Sequence, residues 1–238
     1  MNPFDELYMT ILGLEFSSEC RGVALLRDGR ILAETSQNEG RHTRAIGMID
    51  AVLRQAGIAR GELDAIAVGL GPGSYTGVRL AISVAQGWQL TTGIRVAGVG
   101  SMAALAAGLG VKERVMLAVD AQRSEYAVSA AEAGALIEPI RLEPLLQLRS
   151  RLDSGQRVYG PGIQAKVGGM DAFPQAAVVA QLAVETDAWV AAELLAPVYL
   201  REVAFVKAPP ARIFPVVRHD GDGPRGPVAQ FPESASLE

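Results

Sequence analysis

The residues best suited to chemistry lie in one glycine-rich segment, residues 71–79, which reads Gly-Pro-Gly-Ser-Tyr-Thr-Gly-Val-Arg. The segment falls between an apolar run and a helical pattern. Glycine permits close backbone approach, and a serine or threonine here can cap the helix, whose free N–H groups attract anions. The spacing matches neither a Walker A motif nor a Rossmann fingerprint. It predicts a phosphate or adenylate cradle or a docking loop, and a rigid turn whose glycines serve packing stays open beside them. The candidate residues are Gly71, Pro72, Gly73, Ser74, Tyr75, Thr76, Gly77 and Arg79.

Charged and polar residues at two strand ends are further candidates. Asp120, Arg123 and Glu125 form a charged turn that either lines a cleft between two lobes or is a solvated, ion-paired turn. Glu15 and Ser17 end the first apolar run and are candidates for the same cleft.

Arg79 is a cation in the first turn of a predicted helix. The N-terminal end of a helix is positive, so a cation there is unfavourable. Arg79 therefore predicts either an anionic partner or pairing with Glu15 or another carboxylate.

Nucleophiles and metal ligands are scarce. One cysteine, Cys20, cannot form an internal disulfide, and a cysteine with two histidines is poor material for a zinc site. His42 has no neighbouring carboxylate and nucleophile, so we interpret it as a structural residue at a helix start, and His219 as solvated. Cys20 is interpreted as a small hydrophobe at a strand end. The sequence predicts no catalytic residue and no metal site.

Apolar periodicity predicts the elements that must position these residues. The first half has the order βββαβαβ, with Asp28-Gly29 as a hairpin turn. The second half begins again with three strands and has a second Gly-Pro-Gly at residues 160–162, which indicates an internal duplication. The predicted strands are 9–16, 22–27, 30–36, 65–70, 96–99, 115–119, 126–131 and 136–142, and the predicted helices are 43–55 and 76–90.

Short strands mixed with crossover helices predict an α/β protein of two lobes, each with a mixed sheet. The second lobe is reduced, because its helices are short or broken by glycine. The predicted domains are an N-terminal lobe over residues 1–105, a smaller C-terminal lobe over 106–207 and a Pro/Gly-rich irregular tail over 208–238.

The composition bounds the location and partners of the protein. The 238 residues are 49% hydrophobic and 20% charged, with a net charge of -4. Apolar stretches end before the ~20 residues that a membrane-spanning helix requires, and residues 1–6 are acidic. We therefore expect a cytoplasmic protein without a membrane partner. Because the chain is acidic, counterion release gives it little affinity for nucleic acid, so RNA contact should run through a partner.

Residues 71–79 match the strand-loop-helix signature of the TsaB (YeaZ) family at every position. The resemblance extends over residues 9–207, with Glu15 standing where an aspartate is usual. It implies a two-lobe actin-like ATPase fold (ASKHA, ribonuclease H-like) with mixed sheets and a reduced second lobe. Four more segments resemble that family, at residues 11–18, 41–43, 120–126 and 197–201.

The resemblance also implies a non-catalytic subunit. The related catalytic protein, TsaD, carries a His-x-x-x-His metal pair, and this sequence has Ser101 and Leu105 at those positions. The chain is therefore similar to a scaffold or activator that binds a TsaD-type paralogue for tRNA N6-threonylcarbamoyladenosine modification at adenosine 37. The resemblance implies no cofactor for this chain, an adenine nucleotide in the complex, a TsaE-type ATPase as a further partner, a homodimer when the chain is alone, and indirect contact with tRNA.

Two predicted helices carry the expected partner surface. The helix at 43–55 has an apolar arc wider than the stripe that one sheet would cover, and the second helix carries small residues that let another helix approach closely. In the family these two helices face the TsaD-type partner or a second copy. The alternative is a helix that is apolar all round because it lies inside the protein. The interface candidates are Ala45, Ile46, Met48, Ile49, Val52, Leu53, Ala81 and Ala85.

Two enzyme hypotheses compete with the scaffold. A small-molecule kinase or ATP hydrolase of the actin-like fold would use Glu15 and the loop at 71–77, but it needs a second phosphate loop and a carboxylate for magnesium. A peptidase of the M22 (glycoprotease-like) group would need a metal pair or a Ser-His-Asp set, which two histidines in these places do not supply.

Overall fold

The computed structural model describes residues 9–38, 43–185 and 189–201. His42, His219 and the tail at 208–238 lie outside the described residues, so what the sequence predicts for them stays a prediction. Of the helices in the described ranges, none is long and apolar enough to cross a membrane. In chain order the elements are β1 (Thr10–Glu15), β2 (Arg21–Arg27), β3 (Arg30–Gln37), α1 (Ala45–Ala56), β4 (Ala65–Gly69), α2 (Tyr75–Thr92), β5 (Arg95–Val99), α3 (Ser101–Gly108), β6 (Val115–Asp120), β7 (Glu125–Glu132), β8 (Ala135–Leu136), β9 (Arg141–Pro144), α4 (Leu145–Asp153), β10 (Val158–Gly160), α5 (Ile163–Val167), β11 (Met170–Asp171), α6 (Ala176–Glu185) and β12 (Trp189–Val190).

The first sheet has the strand order β12-β5-β4-β1-β2-β3 within the described residues. Its central strand, β1, pairs antiparallel with β2 and parallel with β4. The hairpin predicted at Asp28-Gly29 joins β2 to β3, with both turn residues at positive φ. All of β1 is buried, as expected for a strand with both faces covered.

The second sheet repeats this arrangement. Its order is β11-β10-β6-β7-β8, and β9 also pairs with β7. Here β6 pairs antiparallel with β7 and parallel with β10, as β1 does with β2 and β4. The duplication predicted from the sequence is therefore present in the topology.

Helices cover the two faces of the first sheet. Because side chains alternate along a strand, Leu12 of β1 faces α1 and α2, where it joins a core with Ile49 and Ile82. Ile11 faces the other way and packs in a core with Val179 of α6. Helix α1 ends at Gly57 in the left-handed conformation, as the sequence predicts.

Two features differ from the prediction. The strand expected over 136–142 is divided into β8 and β9, which both pair with β7; Pro139 lies between them and has no N–H for the ladder. The sequence pattern also gives no bounds for α3 to α6, although it predicts that the helices of the second lobe are short or broken by glycine. In α3 and α6 the cause is an alanine-rich composition, which leaves no clear apolar stripe.

The chain returns to the first sheet after the second is complete. Helix α6 packs on the first sheet, and β12 pairs antiparallel with β5. The region at 106–207 thus contributes to both sheets, and the domain boundaries stay a prediction.

Candidate functional site

The inner face of the glycine loop, residues 71–77, packs on the main chain that follows β1. A Cβ added to Gly77 would overlap the carbonyl oxygen of Phe16, and one added to Gly73 would overlap that of Ser17. The N–H of Ser74 donates to the Ser17 carbonyl oxygen at 2.6 Å. The glycines therefore serve close backbone packing, and the chain itself fills the inner side of the loop.

Two serines hold this loop in shape. The hydroxyl of Ser101 accepts a hydrogen bond from the Gly71 N–H at 2.9 Å, and the Ser101 N–H donates to the Gly71 carbonyl oxygen, also at 2.9 Å. Ser74 caps α2 by accepting from the Gly77 N–H at 3.3 Å. The Gly71–Pro72 peptide bond is cis. The loop is thus a fixed strand-to-helix turn.

Glu15 ends β1 beside this turn and is fully buried. Its Oε1 accepts from the Ser17 N–H at 2.7 Å, whereas Oε2 has no hydrogen-bond partner among the described residues. Burial raises the pKa of Glu15 above its usual range, and the nearby Ser17 and Ser101 offset this only in part. Ser17 is buried too. The expectation that Glu15 and Ser17 line an open cleft is therefore corrected.

The outer face of the loop carries a cluster of Tyr75, Arg79 and Tyr199, which we call the tyrosine–arginine cluster. The Arg79 guanidinium donates to the Tyr75 hydroxyl at 2.6 Å, and its Cζ lies 5.2 Å from the centroid of that ring. The centroids of the two tyrosine rings are 6.0 Å apart, with an interplanar angle of 51°. Tyr75 and Tyr199 are 51% and 55% exposed.

Arg79 does not pair with Glu15, so that interpretation of the sequence is wrong. Within the described residues no carboxylate forms an ion pair with it. The pKa of Tyr75 is lowered by its hydrogen bond with Tyr199 and, to a smaller extent, by its hydrogen bond with Arg79. The hydrogen bond between the two tyrosines raises the pKa of Tyr199.

The charged turn of the second half is paired internally. Asp120 binds Lys166 at 2.6 Å and Glu125 binds Arg201 at 2.5 Å. Arg123 is exposed, and it and its two neighbours adopt left-handed conformations with φ values of 65, 58 and 59°. For Asp120 and Glu125 the ion-paired turn is thus the better description.

Sequence reasoning gave no role to the segment at 197–201, which contacts both turns. The Val198 N–H donates to the Leu70 carbonyl oxygen at 2.9 Å beside the glycine loop. Tyr199 meets Tyr75, and Arg201 binds Glu125. The signal available was the likeness of this segment to the TsaB (YeaZ) pattern, which does not reveal what it touches.

The comparisons with known proteins agree with one another. The family model described as TsaD: tRNA N6-adenosine threonylcarbamoyltransferase matches residues 31–143. The chain is 36% identical to the tRNA threonylcarbamoyladenosine biosynthesis protein TsaB of Escherichia coli (strain K12) over 121 residues. These residues cover 49% of this chain and 52% of that protein. It is 30% identical to the solved structure of YeaZ from Pseudomonas aeruginosa, with a TM-score of 0.65, over 81% of this chain and 100% of that chain. The chain belongs to the TsaB (YeaZ) family.

The TsaB protein of Bacillus subtilis (strain 168) is also 36% identical, over 101 residues that cover 42% of this chain and 44% of that protein. The chain thus spans about half the length of the curated relatives it matches. Membership of the TsaB (YeaZ) family and the two mixed sheets confirm the predicted α/β actin-like fold class.

The TsaB (YeaZ) assignment gives meaning to two buried positions. Ser101 and Leu105 stand where the sequence resemblance places the TsaD histidines; Ser101 holds the glycine loop and Leu105 lies in an apolar core. In the described ranges, no three or more His, Cys, Asp or Glu side chains come together where they could hold a metal ion. Burial, aided by Glu19, raises the pKa of the Cys20 thiol.

The helices that TsaB (YeaZ) relatives led us to expect as a partner surface are mostly occupied within this chain. Seven of the eight interface candidates are buried in the core beneath α1 and α2, and Ile46 is 53% exposed. The wide apolar arc of α1 is therefore explained by packing within the chain. Of the eight interface candidates, Ile46 alone is exposed enough to contact a partner, and the prediction for the other seven is corrected. The seven buried residues are Ala45, Met48, Ile49, Val52, Leu53, Ala81 and Ala85.

Proposed function

We propose that this chain is a non-catalytic scaffold or activator subunit in tRNA threonylcarbamoyladenosine biosynthesis, which binds a TsaD-type catalytic subunit for modification at adenosine 37. One observation carries the proposal. The loop with the family signature is closed on its inner side by the chain's own backbone and exposes side chains on its outer side. Such a loop is suited to present a surface to a partner rather than to enclose a phosphate.

The outer faces of α1 and α2 supply the rest of the partner surface. Ile46, Gly47 and Ala51 are exposed on α1, and Ser83 and Gly87 are exposed on α2. Side-chain size at a helix contact sets how closely two helices pack, so these small residues favour close approach of a partner helix. The same faces would support a homodimer when the TsaD-type protein is absent.

The remaining components follow from this role. The chain requires no cofactor of its own, and an adenine nucleotide would belong to the complex. A TsaE-type ATPase joins the same complex. With a net charge of -4, this chain would reach tRNA through the TsaD-type partner.

The test is size-exclusion chromatography with light scattering on this chain, alone and mixed with the TsaD-type paralogue of its organism. We expect a complex, and we expect threonylcarbamoyladenosine formation by the TsaD-type and TsaE-type proteins to require the chain. Ile46→Asp places a charge on the outer face of α1 and should weaken the complex ~10-fold or more.

The matched control is Leu146→Asp, because Leu146 is 78% exposed on α4. Ile49 is fully buried, so a charge there would unfold the core and could not report on the interface. Absence of a complex with the wild-type chain, together with ATP turnover by the chain alone, would favour the kinase or ATP-hydrolase alternative.

A further inference from the structure

The tyrosine–arginine cluster offers hydrogen-bond donors without an acidic partner. Arg79 brings a guanidinium, and Tyr75 and Tyr199 bring hydroxyls at the same end of α2. The first turn of α2 contains no acidic residue, so the positive end of this helix adds to the local field. The cluster is therefore positive, donor-rich and exposed.

Two cations near the corresponding turn of the second half are paired. Lys166, in the short helix after the second Gly-Pro-Gly, binds Asp120, and Arg201 binds Glu125. Arg79 lies near the start of the helix after the first Gly-Pro-Gly and has no such carboxylate among the described residues. What this site lacks is a carboxylate.

The composition of the cluster suits a protein partner. Tyrosine and arginine are among the residue types that most often dominate the energy of an interface. A guanidinium binds a carboxylate through two parallel hydrogen bonds, and the tyrosine rings supply rigid apolar area around that contact.

A second copy of the chain fits this cluster poorly. In a two-fold dimer centred here, each Arg79 would face its own mate, because both copies present the same patch. Like charges opposed across an interface are unfavourable. The complementary charge must come from a different molecule.

We propose that Tyr75, Arg79 and Tyr199 form a docking point for an acidic side chain of the TsaD-type partner. The carboxylate binds the Arg79 guanidinium beside the two tyrosine rings, which shield the contact from water. This inference rests on the proposed function and adds the chemistry of one contact to it.

The experiment is a titration of the TsaD-type protein with the full chain, with Kd measured by calorimetry. Arg79→Glu should weaken binding by ~30-fold or more, as expected for an interface hot spot, and Tyr199→Ala by ~10-fold. Arg149→Glu changes the charge equally at an exposed position of α4 and should leave Kd unchanged. All these side chains are exposed, so unfolding curves should match the wild type.

Charge reversal identifies the partner residue. Acidic surface residues of the TsaD-type protein are changed to lysine one at a time, and one of them should bind Arg79→Glu at least ~10-fold better than the unchanged partner does. If the wild-type chain binds and Arg79→Glu binds as well as Arg149→Glu, the inference fails while the proposed function stands. If the wild-type chain does not bind, the proposed function fails. Loss of self-association or of RNA-oligonucleotide binding in Arg79→Glu, with Kd for the TsaD-type protein unchanged, would assign the cluster to another occupant and overturn the inference.

Discussion

The central strand of each half ends in a carboxylate with the same local hydrogen bond, but the two carboxylates differ in burial and in pairing. Glu15 ends β1 and Asp120 ends β6, and each carboxylate accepts a hydrogen bond from the N–H two residues further on, at 2.7 Å to Ser17 and 2.7 Å to Gln122. Glu15 is fully buried, whereas Asp120 is partly exposed and bound to Lys166. Duplication has preserved the local geometry, and the surroundings decide the charge.

The difference extends to the Gly-Pro-Gly loops. The first loop leads into α2, which is capped by Ser74 and continues for 18 residues, and the second leads into α5, which has 5 residues and no side-chain cap in the described structure. The cation of the second loop meets Asp120, while Arg79 at the first faces outward. In the first half, backbone packing thus fills the inner side of the loop, and Arg79 on the outer side has no ion-pair partner among the described residues. A docking surface needs this arrangement.

The largest effect should come from a closely packed glycine in each half, Gly77 in the first and Gly160 in the second. A Cβ at Gly77 would overlap the Phe16 carbonyl oxygen, and a Cβ at Gly160 would overlap that of Ala118. Alanine at either position should lower the free energy of unfolding by about 3 kcal/mol, because backbone must move. The control is Gly87→Ala in α2, which has open space and should raise stability by about 0.5–1 kcal/mol. Urea denaturation of the three variants checks this; an unaffected Gly77→Ala would show that the loop is not packed as described.

Glu15 should make the first half sensitive to rising pH. Its folded pKa lies above the ordinary value of 4.5, so the folded chain keeps a proton that the unfolded chain loses, and stability falls as pH rises from about 4.5 through the folded pKa. The slope contributed is up to about 1.4 kcal/mol per pH unit. Glu15→Gln cannot titrate, so its urea midpoint should lack this decline between pH 4.5 and 7.5. Parallel pH profiles for the two proteins would contradict a proton held by Glu15.

Ser74→Ala should have an intermediate effect. The hydroxyl caps α2 by accepting from the Gly77 N–H, and loss of such a cap costs about 1 kcal/mol. Ser74→Asp supplies another capping oxygen and should restore most of the stability, as measured by thermal unfolding. Equal losses in both variants would mean that the cap does not fix the start of α2.

Asp120 should show the smallest effect and the opposite pH dependence. Burial acts to raise its pKa, but hydrogen bonds from Lys166 and the Gln122 N–H outweigh it, so the folded pKa lies below the ordinary 3.8. The contribution is present above pH 3.8 and is lost as pH falls through the folded pKa. Asp120→Asn should cost about 0.5 kcal/mol at pH 7 and nothing at the acid end. A loss that grows toward low pH would reverse the sign and refute the pairing.

Much of the first half could be predicted from local signals. The apolar run of β1, the turn at Asp28-Gly29, the helix stop at Gly57 and the capping serine at Ser74 each depend on near neighbours in sequence. The repeated Gly-Pro-Gly also indicated a duplication, which the two strand orders bear out.

Long-range packing could not be predicted in the same way. The apolar arc of α1 made Ile46, Met48 and Val52 equal candidates for the partner surface, whereas Met48 and Val52 are buried in the core and Ile46 is exposed. Glu15 looked accessible because a carboxylate at a strand end is polar, and only the packing of the loop and Ser101 shows its burial. Tyr199 reaches Tyr75 through a return of the chain that no local pattern encodes.

The most direct test of the central claim is calorimetry on the purified chain, titrated once with its TsaD-type paralogue and once with magnesium-ATP. If backbone packing fills the inner side of the glycine loop and the outer side binds a partner, the paralogue should give a saturable binding heat. ATP should give none up to millimolar concentration. Saturable ATP binding with hydrolysis by the chain alone, and no heat with the paralogue, would contradict it.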